Sequence, residues 1–247
     1  MFIYKQQNPW FESFKIQKDK DWPWIENAEE WSELVSKTLK GVLINNLVLL
    51  PSFLFIGALL NDYEPDYSFS LDGLPTAWTL LWQNYFCLVV EDVVSTIFHR
   101  LLHTSYLYKH VHKQHHTYTQ AVGICAEYEH PLEYFLDGYL PLTISSALLG
   151  NRMHIVTYLI IACHRVIAAT IEHSGYEFPF EPSELLPFKT SSRYHDYHHQ
   201  GNINGNFGGG VVLSDFIMGY NKQYYAHLER EQIYKKKENS GKKDKNN

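Results

Sequence analysis

The 247-residue chain holds fourteen histidines, and eight of them fall into three short motifs. These are His99-Arg-Leu-Leu-His103, His112-Lys-Gln-His115-His116 and His195-Asp-Tyr-His198-His199. Spacings of i, i+3 and i+4 bring imidazoles to one face of a helix. Neutral imidazole suits iron, zinc, copper or nickel, whereas magnesium and calcium want oxygen ligands. Eight ligands exceed the roughly four of zinc and the roughly six of an octahedral site, so the set fits two adjacent metals. His173, in His-Ser-Gly-Tyr, is a natural ninth. A zinc protease would need His-Glu-x-x-His with glutamate as general base. Arg100 occupies that place and argues against one. His110, His154, His164 and His227 stand apart from the motifs and are expected to be packed or exposed. No catalytic side chain is expected beyond the metal centre itself.

Acids beside the motifs are candidates to accept imidazole N–H groups from behind the ligands: Glu91, Asp92, Glu127, Glu129, Glu172 and Asp196. The glycine-rich run 201–210 is not Gly-x-Gly-x-x-Gly and follows a histidine motif rather than a strand. It reads as a tight loop that brings backbone close to the site.

The elements that must carry these residues are apolar. Four stretches, 41–60, 77–98, 134–150 and 153–171, stand out, and the first matches the roughly 20 residues that a bilayer core requires. Aromatic residues are abundant, at 18 Tyr, 14 Phe and 6 Trp, as in chains that meet a membrane interface. The loop 61–76 has four acids (Asp62, Glu64, Asp66, Asp72) and no Lys or Arg. Lysines gather before residue 41, Arg100, Lys109 and Lys113 follow the second stretch, and the chain ends lysine-rich. Four spans put all these basic regions on one side, which the positive-inside rule makes cytosolic. The same topology brings every histidine motif to that side. The first twenty residues have no apolar core or cleavage site, so an internal stretch is expected to direct insertion.

The expected fold is an all-α integral membrane protein of about four transmembrane helices under a cytosolic, histidine-rich, di-metal helical cap. Residues 1–40, with Trp10, Trp22, Trp24 and Trp31, are expected to form an interfacial or cytosolic segment. Residues 41–228 are the membrane-embedded catalytic domain, and 229–247 a lysine-rich tail without fixed structure. A net charge of −6 gives no sign of a nucleic-acid partner. Three separated cysteines read as buried thiols.

The motifs resemble the fatty acid hydroxylase / sterol desaturase superfamily, with its HX3H, HX2HH and HX2HH boxes. The resemblance is closest to the C-4 methylsterol monooxygenase branch. It rests on Glu91-Asp92 ahead of HRLLH, YKHVHKQHH (108–116), AEYEHPLE (126–133), EHSGYEFP (172–179) and HDYHH followed by GNFG (205–208). It implies an endoplasmic-reticulum enzyme with two Fe ions and O2 as co-substrate. Electrons would come from NAD(P)H through cytochrome b5 and its reductase, and the substrate would be a sterol oxidised at its C-4 methyl group. It implies His99, His103, His112, His115, His116, His173, His195, His198 and His199 as metal ligands, and His130 as a residue lining the site. The chain departs from the family at Ser95, Ala168, Ala169, Ile171 and Ser214, places expected near the substrate. A C-24 side-chain de-alkylase or a sterol desaturase of the superfamily is an alternative. A non-catalytic metal- or haem-binding membrane protein is an alternative of another class.

Overall fold

The computed structural model describes residues 8–62, 67–179, 185–189, 191–201 and 204–244. Glu64 and Asp66 of the acidic loop lie outside them. Among the described residues the chain is helical, with only isolated β-bridges.

Helix α1 (Ala28–Leu60) is capped by Asn27, whose Oδ1 accepts from the Glu30 N–H at 3.1 Å while its amide donates to the Glu30 carboxylate. The first of these bonds satisfies one orphan N–H of the first turn. The helix widens into a π turn at Asn45–Leu49 and resumes at Leu50. Pro51 has no N–H to offer Leu47 and its ring crowds that carbonyl, so the wider turn absorbs the clash. It also turns two polar side chains inward. Asn45 donates to the Glu129 carbonyl at 3.0 Å, and the Tyr134 hydroxyl donates to Asn46 at 3.2 Å. The same arrangement recurs at Tyr134–Tyr139, just ahead of Pro141. There Arg165 donates to the freed carbonyls of Gly138 and Asp137 at 2.8 and 3.3 Å.

Helix α2 (Ala77–Leu102) begins at Thr76, whose hydroxyl accepts from the Thr79 N–H. Its inner stripe buries Gln83, Cys87, Glu91, Asp92, Thr96 and His99 at helical spacing. Helix α3 (Ser105–His110) turns the chain back. Helices α4 (Leu140–Leu149) and α5 (Ile155–Glu172) pack on α2 around Cys87, Leu142, Leu149, Met153 and Ile161. Helices α6 (Ser192–Gly201), α7 (Leu213–Met218) and α8 (Lys222–Asp244) complete the cap.

Two helices, α1 and α5, are long and apolar enough to cross a membrane. Leu47, Phe55 and Leu60 on α1, and Leu159, Val166 and Ile167 on α5, face outward and exposed. Water penalises such surface by about 25 cal/mol per Å², and lipid does not. The other two expected spans differ. The α2 stripe carries polar groups, and α4 is a ten-residue helix behind a π turn.

The two terminal segments differ in detail from expectation. Of the N-terminal tryptophans, Trp22 and Trp31 are buried and only Trp10 is largely exposed. Trp22 stacks on Trp24 and lies against Tyr176, while Trp31 meets Tyr118 edge-on. Residues 12–22 instead form a strap over the cap. The Ile16 N–H donates to the Gly175 carbonyl and the Glu177 N–H to the Phe14 carbonyl. The lysine-rich tail is helical to Asp244. Its Lys, Glu and Gln are good helix formers, and Glu231 pairs with His227 and Arg193.

Candidate metal centre

Four segments deliver the histidines. His99 sits in the last turn of α2 and His103 caps that helix. His112, His115 and His116 lie on a 3-10 turn (His112–Thr117), where residues i and i+3 eclipse and the His112 and His115 rings stack. His173 caps α5, and His195, His198 and His199 lie on α6. All but His103 are buried.

The structure brings all nine implied histidines together and divides them. His99, His103, His112, His116 and His198 form one set, and His115, His173, His195 and His199 the other. Within each set the candidate ligand nitrogens lie within 4.8 Å of one another. The two HX2HH boxes interlock: the middle histidine of 112–116 belongs to one set and its flanking pair to the other, and the reverse holds for 195–199.

The nitrogen distances test whether a metal fits. In the five-histidine set, Nε2–Nε2 separations are 3.1 Å for His99–His112, 3.0 Å for His112–His103, 2.9 Å for His116–His112, 3.2 Å for His103–His198 and 3.1 Å for His198–His116. A metal–imidazole bond of about 2.1 Å sets cis ligand edges at about 3.0 Å in octahedral or square-pyramidal sites and about 3.4 Å in tetrahedral ones. The observed edges match the former. Proton placement agrees. The His99 and His198 Nδ1–H groups donate to the Phe207 and Gly205 carbonyls at 2.9 and 2.7 Å, and His112 Nδ1–H donates to Glu133 at 2.6 Å. A neutral imidazole protonated at Nδ1 has a bare lone pair at Nε2. The lone pairs of His99 and His112 therefore face each other with no proton between, an arrangement that a cation resolves. In the second set His195 Nε2 lies 2.9 Å from His173 Nε2, which is 3.3 Å from His115 Nε2.

Protonation does not compete. Burial, and then neighbouring imidazoles, push His103 down to about 2 and His116 to about 3. The same two causes hold His112, His115, His195, His198 and His199 well below the ordinary histidine range. Burial also lowers His173. These eight rings are held toward the neutral form that metal ligation requires.

The acids proposed to orient imidazoles do other work. Glu91 pairs with Arg165, Glu172 with Lys189, Asp92 accepts from the Ser214 N–H and Asp196 from Gln17. Glu129 is half-buried on a cavity wall and is pushed well above the usual carboxylate range by burial, then by Glu127 and Asp137. His130 does not line the site; its Nδ1 accepts from the Leu132 N–H and caps the turn at Pro131–Glu133. The groups that do hold the rings are Glu133 and the carbonyls of Gly205, Phe207 and Ala169. Glu133 escaped the sequence reading although it ends AEYEHPLE. The glycine loop does bring backbone to the site as expected. Gly205 sits so close to Tyr220 that a Cβ would fall 2.3 Å from its carbonyl. Of the lone histidines, His154 caps α5, His164 meets Asn84 and His227 meets Glu231.

A cavity of about 400 Å³ opens onto His99 and His112 of one set and His115, His173 and His195 of the other. Leu50, Leu54, Leu88, Leu142 and Val166 make its apolar wall. Glu91, Glu127, Glu129, Asp137 and Arg165 make a polar band. The departures Ser95, Ala168 and Ala169 all line it, where small side chains leave room.

The profile of the fatty acid hydroxylase family matches residues 85–220, which hold all nine histidines. The chain belongs to the fatty acid hydroxylase family. Membership makes it an oxidoreductase, and the paired sets occupy the matched region. Methylsterol monooxygenase 1 of Gallus gallus is 32% identical over 93% of this chain and 73% of its own length. Methylsterol monooxygenase 1 of Rattus norvegicus is 34% identical over 90% of this chain and 71% of its own. A very-long-chain aldehyde decarbonylase of Oryza sativa subsp. indica is 34% identical over 87% of this chain and 76% of its own. No solved structure matches this fatty acid hydroxylase.

Proposed function

We propose that this chain is a di-iron, O2-dependent monooxygenase that oxidises the C-4 methyl group of a sterol in the endoplasmic-reticulum membrane. The observation that carries the reading is the interlocked division of nine histidines, eight of them buried, into sets of five and four at the edge of one cavity. His99, His103, His112, His116 and His198 would hold one ion, and His115, His173, His195 and His199 the other. Iron held there supplies the electron-transfer and O2 chemistry that side chains lack. In each hydroxylation one oxygen atom enters a C–H bond and the other leaves as water, with two electrons and two protons supplied. The electrons would come from NAD(P)H through cytochrome b5 and its reductase.

The protein's own residues orient, exclude and recognise. Glu133, Phe207 and Gly205 hold ring N–H groups and so aim Nε2 lone pairs inward. The leucine wall keeps water from the reacting carbon. Relatives of similar identity carry two different reaction names, so identity does not choose the substrate. The polar band supports the C-4 reading. A sterol carries a hydroxyl on the carbon next to C-4, and Glu127 and Glu129, which line the same cavity as the histidines, would be its partners. A C-24 side chain and a long aliphatic aldehyde bring no hydroxyl to that place.

Four spans with both termini cytosolic remain the proposed topology. Helices α1 and α5 support it through their exposed apolar faces, and the basic segments through the positive-inside rule. Within it, 41–228 is the proposed catalytic domain. The purified, iron-loaded chain with a reductant and O2 should convert a 4-methyl sterol to its 4-hydroxymethyl product. Conversion of a C-24-alkylated sterol or a long-chain aldehyde in its place overturns the assignment. His115→Ala and His198→Ala, one from each set, should both abolish turnover.

A further inference from the structure

The rings of the two sets are anchored differently. In the five-histidine set three Nδ1–H groups reach acceptors on other elements: Phe207 carbonyl for His99, Glu133 for His112 and Gly205 carbonyl for His198. These acceptors are themselves held. Glu133 is 1% exposed. The Gly205–Gly208 loop is clamped by the Gly208 N–H and the Tyr194 hydroxyl, both donating to Asp215 at 2.8 and 2.7 Å. Asn206 adds two bonds, from its N–H to the Tyr220 carbonyl and from its amide to the Tyr194 carbonyl.

The four-histidine set has no such frame. His173 Nδ1 donates to the Ala169 carbonyl of its own helix, which already accepts the His173 backbone N–H. The Nδ1 atoms of His115, His195 and His199 are buried and meet no acceptor on the protein. Their rings are placed by contact with other imidazoles, such as His199 stacked on His116.

We propose that the two positions hold their ions unequally: the five-histidine position retains its ion, and the four-histidine position exchanges it. The inference rests on the di-metal reading above. One more ligand and three anchored rings, against none anchored to another element in the second set, both favour the first position, although the buried His116 Nδ1 of the first set also meets no acceptor. Outer partners of ligating histidines are each worth about ten- to a hundred-fold in metal affinity. Glu133 is then a positioning residue acting on one position alone, through His112.

The full-length chain, loaded with ferrous iron in detergent without oxygen, is challenged with EDTA and its bound iron followed over time. Loss should be biphasic, with about one ion leaving at least ten-fold faster than the other. Glu133→Leu should accelerate the slow phase and spare the fast one. Glu133→Gln, which keeps an acceptor for the His112 N–H, should restore the slow phase. His199→Ala should remove the fast-leaving ion only. Loss of both ions in a single phase from the wild-type chain overturns the inference, as does acceleration of both phases by Glu133→Leu. A chain that never binds two ions fails the di-metal reading instead, so the two failures are distinguishable. The wild-type time course stands even if a variant does not fold.

Discussion

Removing the metal should leave a protein that acid opens near pH 6. Eight of the nine clustered imidazoles have pKa values held below the ordinary 6.5 by burial and by each other. An unfolded chain regains the ordinary value, so between the two values it binds more protons than the folded one. Stability is therefore full above pH 6.5 and falls as the pH drops toward the folded values. Each strongly depressed imidazole contributes about 1.4 kcal/mol of loss between pH 7.5 and 5.5. Seven are strongly depressed and would sum to about 10 kcal/mol, comparable with the roughly 5–15 kcal/mol that holds a domain folded. The metal-free chain in detergent should thus lose its near-ultraviolet circular dichroism in a steep, multi-proton transition just below pH 6.5. The buried Trp22 and Trp31 report on it, since both pack beside the cap. Iron-loaded protein should resist to lower pH, because protons must displace the ions first. A metal-free chain equally stable at pH 7.5 and 5.5 would refute the reasoning, since these rings would then not be the buried, neutral cluster described.

Two other substitutions probe the frame. Arg165→Met should cost about 3–5 kcal/mol by leaving Glu91 charged and buried, whereas Glu91→Gln with Arg165→Met should recover much of the loss; thermal unfolding in detergent reads both. Gly175→Ala should destabilise by about 2 kcal/mol, because Gly175 has φ +76° and an added Cβ would fall 2.6 Å from the Ala121 carbonyl. The same thermal scan checks it, and an unchanged midpoint would contradict the close approach of strap, Trp22 and His-Ser-Gly-Tyr turn.

The legible part of this protein is the part written in local spacing. A ligand pair at i and i+4 is a property of one helix, so eight of the nine histidines could be named from spacing before any fold was known, and His173 was added from its His-Ser-Gly-Tyr motif. An apolar run of about 20 residues is equally local, and α1 and α5 follow from it. The roles of acids were not local. Glu91, Asp92, Glu172 and Asp196 sit beside the boxes in sequence, yet each is drawn to a partner from elsewhere: Arg165, the Ser214 N–H, Lys189 and Gln17. Glu133 stands just ahead of the apolar stretch 134–150, and only the packing of that segment brings it to His112. Trp22 and Trp31 read as membrane-interface residues because an indole ring looks the same in lipid headgroups and in a core.

By itself the sequence determined that imidazoles stand at metal-ligand spacing and which chain segments carry them. Only the tertiary structure decided which histidine falls in which set. That division depends on how two turns and two helix ends face one another, a relation between segments up to 100 residues apart that no local spacing encodes. It also decided that one set is framed from behind and the other is not, because the framing groups are mostly backbone carbonyls, whose direction is set by the fold and not by residue type.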